Sequence, residues 1–305
     1  MEKRIEVVLI FLFLTLFSLG TIYPVLNILG VSLRTDNAFH TRSLSLIQIG
    51  EDYSDLNNNN QWDNGEFFTD KNNNGKWDSG SSLKSYLTLF TKTDFLLWVR
   101  NSIFISLLVT LTGVVFASTA GYALSRFKFR GREFGMTALL TTQMFPATML
   151  LLPFFILLSY LGLINSYIGL IVIYSSTALP FCIWQMKGYY DTIPPSLEES
   201  ARLDGCTRFQ AFYKVILPLS TPALVITALF SFMASWSEYV VAAIILQDPK
   251  LYTLPLGLKS FQASLSTQWG LYAAGAVVVS IPVTILFISL SRYLVSGLTM
   301  GSVKG

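Results

Sequence analysis

The residues whose types and spacing could hold a ligand are concentrated in one polar stretch. Asp55, Asn57, Asn59, Gln61, Asp63 and Glu66 occupy positions 1, 3, 5, 7, 9 and 12 of a twelve-residue run. That is the ligand spacing of an EF-hand calcium loop, with position 7 giving its backbone carbonyl. Fifteen residues on, Asp70, Asn72, Asn74 and Asp78 repeat positions 1, 3, 5 and 9, and Gly75 now fills position 6. Position 12 of this second run is Ser81, which offers no bidentate carboxylate, so the second loop is expected to bind more weakly. The first run has Asn60 at position 6, and asparagine tolerates a left-handed turn. Neutral Asn ligands point to structural Ca2+ of the weak extracellular class, with Kd on the order of 0.1 to 1 mM. The competing reading is a solvated, Asn-rich loop.

A second candidate is Glu238, the only acidic or basic residue between Val215 and Gln247. A carboxylate inside an apolar run is a functional-site hypothesis by default. It could serve a proton-coupled secondary transporter as a relay, or sit near the outer end of a span, hydrogen-bonded to a partner or to water. Other chemistries are excluded. The only histidine, His40, lies in the charge-rich insert between Arg34 and Trp98, which leaves none for a buried Ser-His-Asp triad or an imidazole metal cluster. Cys182 and Cys206 lack metal or disulfide-scaffold spacing. No Gly-x-x-x-x-Gly-Lys-Ser/Thr phosphate loop occurs. A net charge of +3, scattered along the chain, does not suit nucleic acid.

The elements that position these residues belong to a membrane protein. Only 13% of the 305 residues are charged, against about 25% in soluble domains, and 52% are hydrophobic. The charges cluster: 15 of the 39 lie between Arg34 and Trp98. Elsewhere, long uncharged runs predict six transmembrane helices in an all-α integral membrane protein, near 7–33, 101–125, 137–160, 166–186, 218–246 and 271–290. The 53 uncharged residues from Phe134 to Met186 would span about 80 Å as one helix and must fold back, most naturally at Gly162-Leu163-Ile164-Asn165-Ser166. Met1-Glu2-Lys3-Arg4 ahead of the first run reads as an uncleaved anchor. With the N-terminus inside, twelve Lys and Arg fall in cytoplasmic segments and only Lys250 and Lys259 in short outer loops. Both termini are therefore expected in the cytoplasm. The plan is 1–33 as N-terminus and first helix, 34–98 as an extracytoplasmic insert, 99–297 as a five-helix core, and 298–305 as a cytoplasmic tail.

Between the fourth and fifth spans, Ser196 with Glu199 and Thr207 with Gln210 have capping-box spacing, Gly205 suits a helix stop, and Pro218 is expected to bound the second helix. Residues 194–218 thus read as two short helices outside the bilayer, a knob suited to a groove on a soluble partner.

Glu199-Ser200-Ala201, then Gly205, then Val215-Ile216-Leu217-Pro218 resembles the EAA loop of permease subunits of ATP-binding-cassette importers, with Ser200 and Val215 as mild departures. Gln143-Met144-Phe145-Pro146-Ala147, Lys187-Gly188-Tyr189, Ser196-Leu197-Glu198-Glu199 and the terminal Gly297 to Gly305 are similar to the MalG-type subunit of maltose and maltodextrin importers. The resemblance implies a non-catalytic subunit of the cytoplasmic membrane with no catalytic cofactor. Its implied partners are a MalF-type permease, two separate ATPase subunits and an extracytoplasmic sugar-binding protein. It implies that Glu199, Ser200, Ala201, Asp204, Gly205 and Pro218 couple to an ATPase cleft, and that Val303, Lys304 and Gly305 reach between the ATPases. Tyr252, Thr253, Leu254 and Pro255 become candidate contacts for the binding protein.

Overall fold

The computed structural model describes residues 2–34, 50–56, 62–71, 75, 77, 80–262 and 267–300. Among them the architecture is helical, with only two isolated antiparallel bridges, Tyr53 to Phe68 and Gln262 to Thr267. The chain divides into two compact units, residues 1–96 with 258–281, and residues 97–257 with 282–305.

In chain order the helices are α1 Glu2–Ser32, α2 Lys84–Lys92, α3 Phe95–Arg126, α4 Arg132–Thr142, α5 Leu151–Tyr160, α6 Tyr167–Thr192, α7 Ser196–Leu203, α8 Arg208–Ala211, α9 Leu217–Leu219, α10 Thr221–Trp236, α11 Val240–Ile245, α12 Leu254–Lys259 and α13 Trp269–Met300. A π-helical stretch, Phe212–Ile216, joins α8 to α9 without a break. By length and composition four helices can cross a bilayer: residues 6–32 of α1, α3, α6, and residues 269–291 of α13. Arg208–Leu219 and Thr221–Trp236 qualify together as a fifth, bent by 78°. These helices extend beyond the uncharged runs because terminal Lys and Arg can remain helical while their long stems carry the charge out of the apolar layer.

Two expected spans are divided. The third breaks into α4, a 3₁₀ turn at Ala147–Leu150, and α5. Pro146 lacks the N–H a continuous helix needs and disfavours helical backbone at the residue before it. The fifth is interrupted at Ser220 and again between α10 and α11. Pro218 does not bound the hairpin's second helix as expected; it lies inside α9. The π-helical turn just before it relieves the clash its ring would make with the carbonyl four residues back. The break after α5 falls at the expected residues: Gly162 (φ +67°) and Asn165 (φ +54°) are left-handed, and the Ser166 hydroxyl accepts from Gly169 N–H.

In the unit built on 97–257, two buried clusters stack along α3 and α6. One joins Ile105 and Val109 to Leu170, Ile173, Tyr174 and the apolar face of α11. The other joins Ala117 and Tyr122 to Cys182, Met186, Tyr190, Phe212 and Ile216. Glycines allow the close approaches. A Cβ on Gly121 would come 2.9 Å from Met186 Cβ, and one on Gly113 would come 2.3 Å from Ser231 Oγ.

Candidate functional site

The hairpin α7 to α9 starts one step earlier than its sequence suggests. Pro195 is already helical (φ −59°, ψ −25°), and Glu198 and Glu199 N–H both donate to its carbonyl. Pro195 is the N-cap residue of α7, and its missing N–H costs nothing there because a first turn leaves such groups unpaired. Ser196 therefore falls inside α7 and the expected Ser196–Glu199 capping box does not form. The Thr207–Gln210 box does form, with both reciprocal bonds present. At the end of α7, Cys206 N–H reaches Ala201 O at 3.0 Å and Gly205 N–H reaches Arg202 O at 3.1 Å. With Gly205 at φ +89° this is a Schellman stop. Asp204 is the C-cap residue, and its backbone N–H donates to Ser200 O.

The two adjacent carboxylates of α7 have different surroundings. Glu199 is exposed, as are Ser200, Asp204, Gly205 and Pro218, whereas Ala201 is buried. Glu198 turns inward. Tyr122 Oη donates to its Oε2 at 2.7 Å, and Arg126 Nε donates to its Oε1. Arg126 Nη2 also donates to Ile193 O at 2.8 Å. The paired side chains are only 12% and 13% exposed. Sequence reasoning gave Glu198 no role of its own. The available signal was its position three residues before Ala201, on the same helix face.

Around this anchor, the rings of Tyr122, Tyr190 and Phe212 meet at centroid distances of 4.5 to 6.5 Å. The outward surface carries large apolar groups as well as the expected small and acidic ones: Leu203 is 89% and Phe209 71% exposed. A well-formed helical knob with carboxylates, arginines and two exposed apolar side chains is suited to inserting into a partner's cleft.

At the other end of the same unit, residues 249–254 are tied to the first turns of α3. Trp98 Nε1 donates to Pro249 O, and Asn101 Nδ2 donates to Lys250 O at 2.9 Å and Tyr252 O at 3.0 Å. Ser102 Oγ accepts from Leu254 N–H. Thr253 and Leu254 are buried, and Tyr252 and Pro255 half-buried, so the exposed part of the loop is Gln247, Pro249 and Lys250. Gly257 is required because a Cβ there would meet the Trp98 ring at 2.1 Å.

Glu238 finds its partners within the chain, where the sequence pointed to a second subunit or water. It accepts from Tyr174 Oη at 2.9 Å and from Val241 and Ala242 N–H at 2.9 to 3.2 Å. Its carboxylate serves the first N–H groups of α11, just past the break after α10, where such groups have no backbone acceptor.

In the insert, Asn57, Asn59, Gln61, Asn72, Asn74 and Asp78 lie outside the described residues, as do Val303, Lys304 and Gly305 of the tail. Among the described residues no three His, Cys, Asp or Glu side chains converge as a metal site. Glu66 is buried, accepting from Leu56 N–H at 2.9 Å and Asp63 N–H at 3.0 Å. Asp70 Oδ2 accepts from Gly75 N–H.

The sequence repeat is longer than the calcium spacing, because Gly50-Glu51 matches Gly65-Glu66 fifteen residues on. The structure pairs the two copies about a local two-fold. Ser54 N–H donates to Phe67 O and Thr69 N–H to Asp52 O; Leu56 N–H donates to Glu66 and Lys71 N–H to Glu51; Trp62 stacks on Trp77 at 5.5 Å. Glu51, missed from sequence, is 5% exposed.

Residues 113–300 match the family of binding-protein-dependent transport system inner membrane components. The chain belongs to this family. It is 33% identical to the maltodextrin transport system permease protein MdxG of Bacillus subtilis (strain 168), over 97% of this chain and 95% of that one. It is 34% identical to the maltose/maltodextrin transport system permease protein MalG of Escherichia coli (strain K12), over 96% and 94%. A crystal structure of a bacterial ABC transporter involved in the import of the acidic polysaccharide alginate shares its fold, with TM-score 0.75 and 23% identity over 96% of this chain. Family membership makes the chain a multi-pass inner-membrane permease, with ATP hydrolysis left to a separate subunit.

Proposed function

We propose that this chain is the MalG-type permease subunit of an importer for maltodextrin or a related oligosaccharide. The full-length similarity to MdxG and MalG supports that substrate class. In this reading six spans carry both termini in the cytoplasm and the insert outside, the divided third and fifth elements each counting as one kinked span. A MalF-type permease, two ATPases and an extracytoplasmic sugar-binding protein complete the assembly.

The observation that carries the mechanism is the split between Glu198 and Glu199. Glu198 fixes α7 to α3, which leaves Glu199, Ser200, Leu203, Asp204 and Gly205 outward for the ATPase cleft. There Glu199 makes a charge-assisted contact with a basic group. ATPase closure draws the two permeases' hairpins together and switches the spans between inward-open and outward-open. Val303, Lys304 and Gly305 reach between the ATPases. On the outer side Tyr252 and Pro255, with their exposed neighbours Pro249 and Lys250, touch the binding protein, and Thr253 and Leu254 hold the loop in place. The insert takes up structural Ca2+ through Asp55, Asn57, Asn59, Gln61, Asp63 and Glu66 and through Asp70, Asn72, Asn74 and Asp78, which orders a loop poor in apolar residues.

Glu199→Lys tests the coupling role, since it reverses charge on the knob without touching a span. Loss of ATPase co-purification and of uptake, with normal amounts of permease in the membrane, is expected. Undiminished ATPase binding and uptake would remove the coupling assignment.

A further inference from the structure

One helix connects both candidate docking regions. At its C-terminal end α3 presents Tyr122 and Arg126, one turn apart on one face, and together they take both oxygens of Glu198 in the hairpin. At its N-terminal end Trp98, Asn101 and Ser102 hold the backbone of residues 249–254 through four hydrogen bonds. Asn101 and Arg126 are 25 residues apart on an unbroken helix, about 38 Å along its axis. Between these ends α3 contributes to both buried clusters, through Ile105 and Val109 and then Ala117 and Tyr122.

A well-packed helix transmits displacement because the surrounding interior resists compression. Side-chain clamps at both ends give such an element a physical connection to both sites, and the coupling between variants at its two ends tests the link.

We propose that α3 is the transmission element between the two faces of this permease, with Glu198 and Asn101 as its positioning residues. The inference rests on the reading of 194–218 as the ATPase-facing hairpin and of 249–255 as the binding-protein loop. A shift of the outer loop when the loaded binding protein docks pulls on the start of α3. The Tyr122–Arg126 clamp delivers that shift to α7. Coupling of this kind is reciprocal, so ATPase closure moves the outer loop by the same path.

The test is the ratio of ATP hydrolysis with and without sugar-loaded binding protein, measured on the complete complex in proteoliposomes. Glu198→Gln and Asn101→Ala are each expected to lower that ratio at least about fivefold, the lower bound of typical coupling, while the ATPases still co-purify. Tyr122→Phe keeps the ring packing and removes one hydrogen bond, so it gives a smaller loss in a complex that assembles normally. The exchange Glu198→Arg with Arg126→Glu is expected to recover part of the ratio lost in Glu198→Arg alone, and co-purification of the ATPases with each variant separates this from a folding defect. If the double variant Glu198→Gln/Asn101→Ala loses the sum of the two single losses in logarithmic terms, the two clamps act independently and the proposal falls. An unchanged ratio in the assembled single variants overturns it as well, while leaving the importer reading intact. A wild-type complex that loaded binding protein does not stimulate overturns the importer reading itself, and this inference with it.

Discussion

Glu198 and Glu199 are neighbours with the same chemistry and opposite fates. The helix that carries them is amphipathic, so one must face the protein and the other the outside, but spacing alone cannot say which face is covered. The sequence therefore marked the hairpin and its glycine stop, while the Arg126–Glu198–Tyr122 clamp depended on where α3 ends in space. The same limit applied to Ser196, whose capping role required knowing that Pro195 already takes the N-cap position. Removing the Glu198 charge leaves Arg126 nearly buried without its ion partner, at a cost of roughly 2–3 kcal/mol, the upper part of the range for a hydrogen bond to a charged group. Glu198→Gln is thus expected to speed amide exchange across residues 198–206 by about 30- to 150-fold if opening follows that cost. Glu199→Gln should leave those rates near wild type. Equal protection in both variants would mean that the clamp does not hold α7.

Among the elements, continuous helices were legible because long uncharged runs leave lipid as the only suitable solvent, and the turn at 162–166 was legible from its glycine and asparagine. The interruptions at Pro146 and at Ser220, between Pro218 and Pro222, were not, because a proline within an apolar run is compatible with either a bend or a break; the break before α11 has no proline near it and was marked only by Glu238. Glu238 shows why the last break is stable: its carboxylate serves N–H groups that a continuous helix would have paired. Glu238→Leu leaves those two donors and the Tyr174 hydroxyl without their acceptor, at about 1–3 kcal/mol each, and should lower the thermal unfolding temperature of the detergent-solubilised protein. Glu238→Gln retains an acceptor oxygen and should preserve both stability and uptake. Loss of uptake in a stable Glu238→Gln protein would favour a proton-relay role over capping.

The insert is a second element-scale case. The twelve-residue spacing was visible, but the two-fold pairing that uses Glu51 as the counterpart of Glu66 emerged only with the chain folded. Calcium added to the full-length protein is expected to slow proteolysis within residues 50–80, with a midpoint on the order of 0.1 to 1 mM. No protection up to about 10 mM would leave the insert without a calcium role.

For the whole molecule, basic-residue placement predicts the hairpin inside and the insert outside. Ser81 and Ser196 are both exposed, so single cysteines there, in a background lacking Cys182 and Cys206, report topology directly. An impermeant maleimide should label position 81 from outside and position 196 only after the cytoplasmic face is opened; the reverse pattern would invert the protein. The substrate was the least legible feature, since in the proposed assembly the binding protein and the second permease share in selecting it. The most direct measurement is uptake of radiolabelled maltodextrin into proteoliposomes containing this chain, its partner permease and the ATPases, with the binding protein outside. Uptake should require ATP within the vesicle, persist when an uncoupler collapses the proton gradient, and cease in Glu199→Lys. Uptake that proceeds without ATP and follows the proton gradient would contradict the assignment.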